Sequence, residues 1–425
     1  MAESNRRDFL KAGGAVALAA AAPAVHAAGD DKIKVGLIGC GGRGSGAIRQ
    51  SLASDPSVVV HALGDVFEPK VTYLEADIKK QFKERVDVVD RTFSGLDAYK
   101  KVIDSGVNLV LLATPPGFRP MHLEYAINAG KHVFCEKPVA VDAPGIRKCL
   151  ELVEVAKKKN LAIVAGTQRR HQRPYVEVAK RIQDGVIGEI VGGRCSWNGT
   201  GIWFNKRKAG ESDIEYQLRN WYHFLWVCGD HIVEQHVHNI DVINWFTGGH
   251  PLKAVGMGGR IGGSAARPDG DPNEVGHIFD HFAVEFEYAN GVKIASYCRH
   301  YPGPEDVSEM VVGTKGTIRT SGGDNVVING KRVELGGGKD PYVQEHIDLV
   351  ASIKAGGKLI NELQNVTEST MSAIMGRMAC YYSVKPTLTW EQALASQEDT
   401  MPKSLDLKAE HKIGPVPQPG KSKFV

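Results

Sequence analysis

The 425-residue chain reads as an α/β protein: a doubly wound parallel sheet first, then an α+β domain built on an antiparallel sheet. Three observations predict this. Short apolar runs alternate with helical stretches from Lys32 to about Gly166. A glycine-rich turn follows the first of those runs directly. Beyond Gly166 the texture shifts to alternating apolar and polar residues joined by Asn-Gly turns.

In the first part, "IKVGLIG", "VVVHALGDV", "NLVLLATPP", "KHVFCEKP" and "LAIVAGTQ" are apolar almost throughout, as strands buried on both faces are. Helical segments such as "PGIRKCLELVEVAKKKN" lie between them. This assigns residues 32–165 to one domain. In "VGLIGCGGRGSGAIRQ", Gly39, Gly41 and Gly44 form a G-x-G-x-x-G between strand and helix. Gly39 permits the tight turn, Gly41 lets a pyrophosphate approach the backbone, and Gly44 allows close packing of helix on strand. The phosphates then meet free N–H groups at a helix N-terminus. "ALGDV" places Asp65 at the end of the second strand, about 20 residues on, where a carboxylate takes the ribose hydroxyls. It would repel a 2′-phosphate, so the expected cofactor is NAD rather than NADP.

Residues 166–400 form the second domain. In "HFAVEFEYANGVKIASYC", Phe282, Val284, Phe286 and Tyr288 share one strand face, and Asn290-Gly291 makes a hairpin turn. "NVVINGKRVEL" repeats the device at Asn329-Gly330. A long helical segment follows from about Val343, and residues 401–425 have the Pro/Gly/Lys content of a loose tail. The stretch "GDHIVEQHVHNID", Gly229 to Asp241, sits on an early helix of this domain. On one continuous helix Asp230, Glu234, His238 and Asp241 fall in a single stripe, beside the apolar stripe Val233, Val237 and Ile240. A polar stripe bordering a buried one fits the wall of a cleft. Glu234 and His238 could share a metal with His236 or His231, or be structural, or form an acid/base pair. On a helix His236 points away from His238, so no metal is expected.

Composition narrows the class further. Hydrophobic residues at 42% and charged residues at 24% are ordinary globular values. The net charge is +3, and no Lys/Arg-rich run interleaved with aromatics suggests nucleic acid. The seven cysteines include no CxxC pair and read as small buried apolar residues. At the N-terminus, "NRRDFLKAGGAVALAAAAPAVHA" pairs Arg6 and Arg7, then runs through an alanine-rich stretch to an A-x-A-like site at Val25-His26-Ala27. It resembles a bacterial twin-arginine export signal over residues 1–27. Its apolar stretch is short of the ~20 residues a span needs. The resemblance implies a periplasmic or exported protein, folded before export with any cofactor inside, and no membrane span in the mature form.

"GKHVFCEKPVA" puts Lys137 between Glu136 and Pro138 at the C-terminal end of a parallel strand, the ligand edge of such sheets. With the glycine fingerprint and "LLATPP", residues 32 to about 390 resemble the glucose–fructose oxidoreductase / inositol dehydrogenase (Gfo/Idh/MocA) family. The resemblance implies a Rossmann domain, a second domain with a large, open, mostly antiparallel sheet, and homo-oligomers. It implies hydride transfer between a nicotinamide cofactor and a sugar or polyol. Arg43, Thr114, Pro115, Glu136 and Lys137 join the three glycines and Asp65 as expected cofactor contacts. The family's acid-then-histidine signature falls on Glu234 and His238, with Asp241 completing His-x-x-Asp. Three positions depart: Glu234 where Asp is usual, His236 where Gly is usual, and Arg119 where many members carry histidine. They place the chain in a side branch.

The chemistry implied is oxidation of a secondary alcohol. His238 is the candidate base, since an unperturbed histidine titrates near the working pH. Lys137 would stabilise the reacting oxygen, and Glu234 would orient the sugar or tune His238. Arg169, Arg170 and His171 in "QRRHQRPY", with Trp221, Tyr222, His236 and Asp241, complete the expected substrate contacts. Trp197, Trp203, Trp221 and Trp226 precede the motif, and aromatic faces stack on sugar C–H surfaces. The expected function is NAD-dependent hydride transfer on a small carbohydrate, with the NAD tightly bound. Two other readings stand beside it. One is a redox-neutral glycosidase that oxidises, eliminates and reduces on a retained NAD. The other is a non-catalytic nucleotide- or sugar-binding protein, which would not need Lys137, Glu234 and His238 together.

Overall fold

Six strands make the first sheet: β1 (Ile33–Ile38), β2 (Val58–Asp65), β3 (Thr92–Ser94), β4 (Leu109–Leu112), β5 (His132–Cys135) and β6 (Ile163–Ala165). The structure is a computed structural model that describes residues 32–261, 271–323, 325–382, 384 and 386–425. The signal segment, residues 1–27, lies outside the described residues. The strand order is β3-β2-β1-β4-β5-β6, all parallel. Five strands coincide with the five apolar runs. β3 adds a three-residue edge strand, too short and too polar to leave a pattern. Every residue of β4 is buried, as a central parallel strand requires. The helix Ala143–Lys158 starts where the Asp142 side chain accepts from the Gly145 N–H at 2.9 Å. Strand order reverses between β1 and β4, so a crevice opens beyond their C-terminal ends.

The second sheet has nine strands: β7 (Ile190–Asn198), β8 (Lys253–Gly259), β9 (His281–Glu287), β10 (Lys293–Arg299), β11 (Asp306–Gly313), β12 (Gly316–Thr320), β13 (Val326–Ile328), β14 (Lys331–Val333) and β15 (Leu388–Thr389). Their order is β14-β13-β12-β11-β7-β10-β9-β8-β15, antiparallel except for β7 beside β10. Both Asn-Gly hairpins form. Asn329 (φ 52°) takes the left-handed conformation of a two-residue turn, and Asn290 (φ 60°) takes it within the three-residue loop Ala289–Gly291. Phe282, Val284, Phe286 and Tyr288 are all buried and share one core with helices Val237–Thr247 and Leu363–Tyr381.

Two expectations are corrected. The helical segment after Val343 is two helices, Pro341–Ala355 and Leu363–Tyr381. Gly356 and Gly357, both at positive φ, separate them. The tail is not loose. Met401, Leu405, Leu407 and Ile413 pack on a cluster containing Ile214, Tyr216, Phe224 and Trp226. Gln217 donates to the His411 carbonyl at 2.7 Å, and Ser396 to that of Val425 at 2.6 Å. The tail's apolar residues follow no period because its backbone forms neither helix nor strand. Residues Ile33–Val425 form one compact unit.

Candidate active site

The crevice holds a cavity of about 540 Å³ that runs from Asp65 and Phe67, over the glycine turn, to Lys137, Glu234 and His238. Its floor explains the glycines. Gly39 has φ +100°, and a Cβ there would lie 2.6 Å from the Ala113 carbonyl carbon. A Cβ on Gly44 would lie 1.8 Å from the Gly39 oxygen, so only glycine lets helix Gly42–Ser54 pack against the turn. At Gly41 a Cβ would meet nothing within 4 Å. That gap, at the N-terminus of a helix of 13 residues, is the cradle a pyrophosphate needs.

Around this floor the expected cofactor contacts are fixed by hydrogen bonds. The Asp65 carboxylate accepts from the Cys40 N–H at 2.7 Å and the Phe67 N–H at 2.9 Å. Arg43 Nε donates to Glu136 Oε1 at 2.5 Å, and its guanidinium lies 5.1 Å from the Tyr342 ring centre. Thr114 and Pro115 line the cavity wall. Arg119, fully buried, donates to the carbonyls of Leu112 (2.6 Å) and Thr114 (2.7 Å). It therefore stiffens the turn after β4. These residues fit a dinucleotide: an anion cradle, a carboxylate at the end of β2, and a braced wall beside Lys137.

At the far end Lys137 Nζ donates to the Glu234 carbonyl at 2.5 Å and to Glu234 Oε1 at 3.0 Å. Glu234 Oε2 is buried with no hydrogen-bond partner. Burial pushes the Glu234 carboxyl above its ordinary range, against the pull of Lys137 and Arg119. The His238 ring stacks on Trp197, centroids 5.6 Å apart at 24°. The Arg169 guanidinium lies 5.6 Å from the same Trp197 ring. Burial, then Lys137, Arg169 and Arg43, hold the imidazole well below its ordinary pKa, so it is neutral. Trp203 and Trp221, 5.5 Å apart, close the rim.

The motif helix is not continuous. It comprises His231–Glu234 and Val237–Thr247, with the His236 N–H reaching back five residues to the His231 carbonyl at 3.3 Å. That extra residue in the turn breaks the stripe, as wide turns at functional sites do. Glu234 and His238 still face the cavity. Asp230 does not: it is fully buried and accepts from the Phe279 N–H at 2.9 Å and from the Tyr381 hydroxyl. The turn aims His236 at the second sheet, where it bonds Ser296 Oγ at 2.8 Å, and burial lowers it to about 3.

Other expected substrate contacts also lie off the cavity wall. Asp241 makes a double hydrogen bond with Arg170, at 2.8 and 2.9 Å. His171 sits between Asp348 (2.6 Å) and Glu362 (3.2 Å). Arg169 pairs with Glu309 at 3.2 Å, behind Trp197. The Tyr222 hydroxyl meets His231 Nδ1 at 2.9 Å, beneath Trp203. Trp226 is core, its indole donating to Gln217 at 2.7 Å. In each case a charge or ring found a partner inside the fold, and for Arg169, Arg170 and His171 that partner lies 70 or more residues away, which leaves no local signal. Gln235 and Tyr342 are among the lining residues that the sequence reading did not single out. Tyr342 follows the Asp340 cap of its helix, a start signal that says nothing of where the ring points. Among the described residues no group of three or more His, Cys, Asp or Glu is arranged to hold a metal ion.

A parallel sheet with this strand order and a glycine cradle at its switch point are the architecture of a dinucleotide-binding domain. The chain belongs to the GFO/IDH/MocA oxidoreductase family: the description "Oxidoreductase family, NAD-binding Rossmann fold" matches residues 33–167, and the family's C-terminal domain matches residues 175–319. Residues 3–23 match the twin-arginine translocation signal. Inositol 2-dehydrogenase of Rhizobium meliloti is 25% identical over 224 residues, 52% of this chain and 59% of that protein. The match thus spans under two thirds of this curated relative. Among solved structures, a levoglucosan dehydrogenase in complex with NADH and levoglucosan superposes with TM-score 0.65 at 18% identity, covering 82% of this chain and 97% of that one. An aldose–aldose oxidoreductase of Caulobacter crescentus superposes with TM-score 0.63 at 16% identity, covering 84% and 99%. At such identities the superpositions speak for the fold alone.

Proposed function

We propose that this protein transfers a hydride between a hydroxyl-bearing carbon of a sugar or polyol and a tightly held NAD. The observation that carries this reading is the single cavity shared by the glycine cradle and the Lys137–Glu234–His238 group. Bound NAD supplies the hydride acceptor. Gly39, Gly41, Gly44 and Arg43 would hold its phosphates, Asp65 its adenosine ribose, and Thr114, Pro115 and Glu136 the nicotinamide half. Lys137 stabilises negative charge on the substrate oxygen, and the Glu234–His238 pair handles the hydroxyl proton. Trp203 and Trp221 offer aromatic faces to the sugar ring. Relatives named for inositol, levoglucosan and aldose chemistry support a carbohydrate substrate.

Asp65 favours NAD over NADP by charge repulsion. The export signal supports action in the periplasm, where the cofactor must be loaded before export and stay bound. The cycle then closes on the protein: a second carbonyl substrate takes the hydride back. The test is to mix purified protein with a panel of neutral sugars and polyols and record the protein-bound reduced nicotinamide spectrum. Reduction by at least one of them is expected. No reduction across the panel, with NAD demonstrably bound, would contradict the reading.

A further inference from the structure

The two candidate proton acceptors stand in opposite surroundings. Glu234 Oε1 is occupied by Lys137, while Oε2 is buried and has no donor. A buried acceptor left unpaired bears its full desolvation cost, and a substrate hydroxyl is the donor that would relieve it. Glutamate is one methylene longer than the aspartate the family resemblance expects here, so one oxygen can stay on Lys137 while the other, buried in the wall of the cavity, is left without a donor. His238 lies flat on Trp197, which is backed by Arg169, and Lys137 borders the same cavity. An imidazolium there would be a third buried cation. A proton on Glu234 instead removes a buried negative charge.

Resting on the hydride-transfer reading above, we infer that Glu234 Oε2, and not His238, takes the hydroxyl proton during oxidation. In the step, the substrate O–H bond breaks and its proton bonds to Oε2. The O–H electron pair becomes the second carbon–oxygen bond as the C–H bond breaks. The hydride would pass to an oxidised nicotinamide held at the glycine cradle, the nicotinamide being reduced as the alcohol becomes a carbonyl. Glu234 ends as a neutral acid beside Lys137. His238 is a positioning residue that offers a neutral ring nitrogen to the substrate. The groups facing Glu234 are Lys137 and Glu136 after β5, Arg119 below, Tyr222 and Cys228 on the preceding turns, and His238.

The test uses the whole protein with its cofactor, and myo-inositol and levoglucosan as probes. The rate of nicotinamide reduction is followed against pH in the unaltered protein and in Glu234→Gln, Glu234→Asp and His238→Gln. Burial outweighs Lys137 at Glu234, so the rate should rise with pH through a midpoint above the ordinary carboxylate range. Glu234→Gln should lose that rise and about 10²–10⁴-fold in rate. Glu234→Asp should recover part of the rate and keep the rise, and so should His238→Gln. Loss of the rise in His238→Gln with its retention in Glu234→Gln would overturn the inference. Failure of the hydride-transfer reading shows separately, as no reduction in the unaltered protein. An infrared titration of the resting protein needs no substrate and decides Glu234 even then. A carboxyl band absent in Glu234→Gln, titrating above the ordinary range, supports the inference. Titration within the ordinary range overturns it.

Discussion

Both Asp65 oxygens already accept backbone N–H groups, at 2.7 and 2.9 Å, yet each keeps a lone pair for a ribose hydroxyl. Those bonds hold the carboxylate still, so the proposed preference for NAD over NADP would be built into the end of β2. Asp65→Ser should weaken NAD binding and narrow the gap to NADP, measured by calorimetry on protein stripped of nucleotide; tighter NADP than NAD binding in the unaltered protein would refute this. Lys137 spends two donors on Glu234 and keeps one for the substrate. Lys137→Ala should lower turnover by about 10²–10⁴-fold. It should spare the fold, since the lysine lines a cavity. A variant with near-normal turnover would remove Lys137 from the chemistry.

Elements show where sequence reasoning reaches and where it stops. β1, β2, β4, β5 and β6 were legible because strands buried on both faces must be apolar throughout. The two Asn-Gly hairpins were legible because few residues tolerate their dihedrals. β3 was not, being short and half exposed. The break at Gln235–His236 was not either, because the same residues satisfy a helical period on paper. Within the site, Lys137, Glu234 and His238 could be singled out from local motifs, whereas the partners of Arg169, Arg170, His171 and Asp241 could not. His171 shows what such a pairing does instead of binding substrate. Burial alone would lower its pKa, but hydrogen bonds to Asp348 and Glu362 raise it from 6.5 to about 10. A raised folded-state value means the stabilisation is complete below the ordinary pKa and is lost as pH climbs through the folded one. The melting temperature should therefore fall between pH 6.5 and about 10, and His171→Gln should flatten that fall. An unchanged slope in the variant would assign the fall elsewhere.

On the scale of the whole molecule, the outer face of the second sheet carries an apolar row flanked by the ion pairs Lys253–Glu287 and Lys293–Glu285. Met257, Ala283 and Tyr297 align in one row across β8, β9 and β10, with Met257 75% and Tyr297 44% exposed. Such a patch marks an association surface. Self-association through it is our expectation, and Met257→Lys should shift the protein toward monomer in analytical ultracentrifugation; an unchanged mass would place the contact elsewhere. The twin-arginine signal adds a constraint to the proposed function, because an exported enzyme that lost its NAD would have little free NAD to rebind. The most direct test is to purify the exported protein without adding nucleotide, denature it, and identify what it releases. The account predicts NAD or NADH at close to one per chain, and turnover of paired sugar substrates with none added. Protein that arrives empty and turns over only with excess free NAD would contradict it.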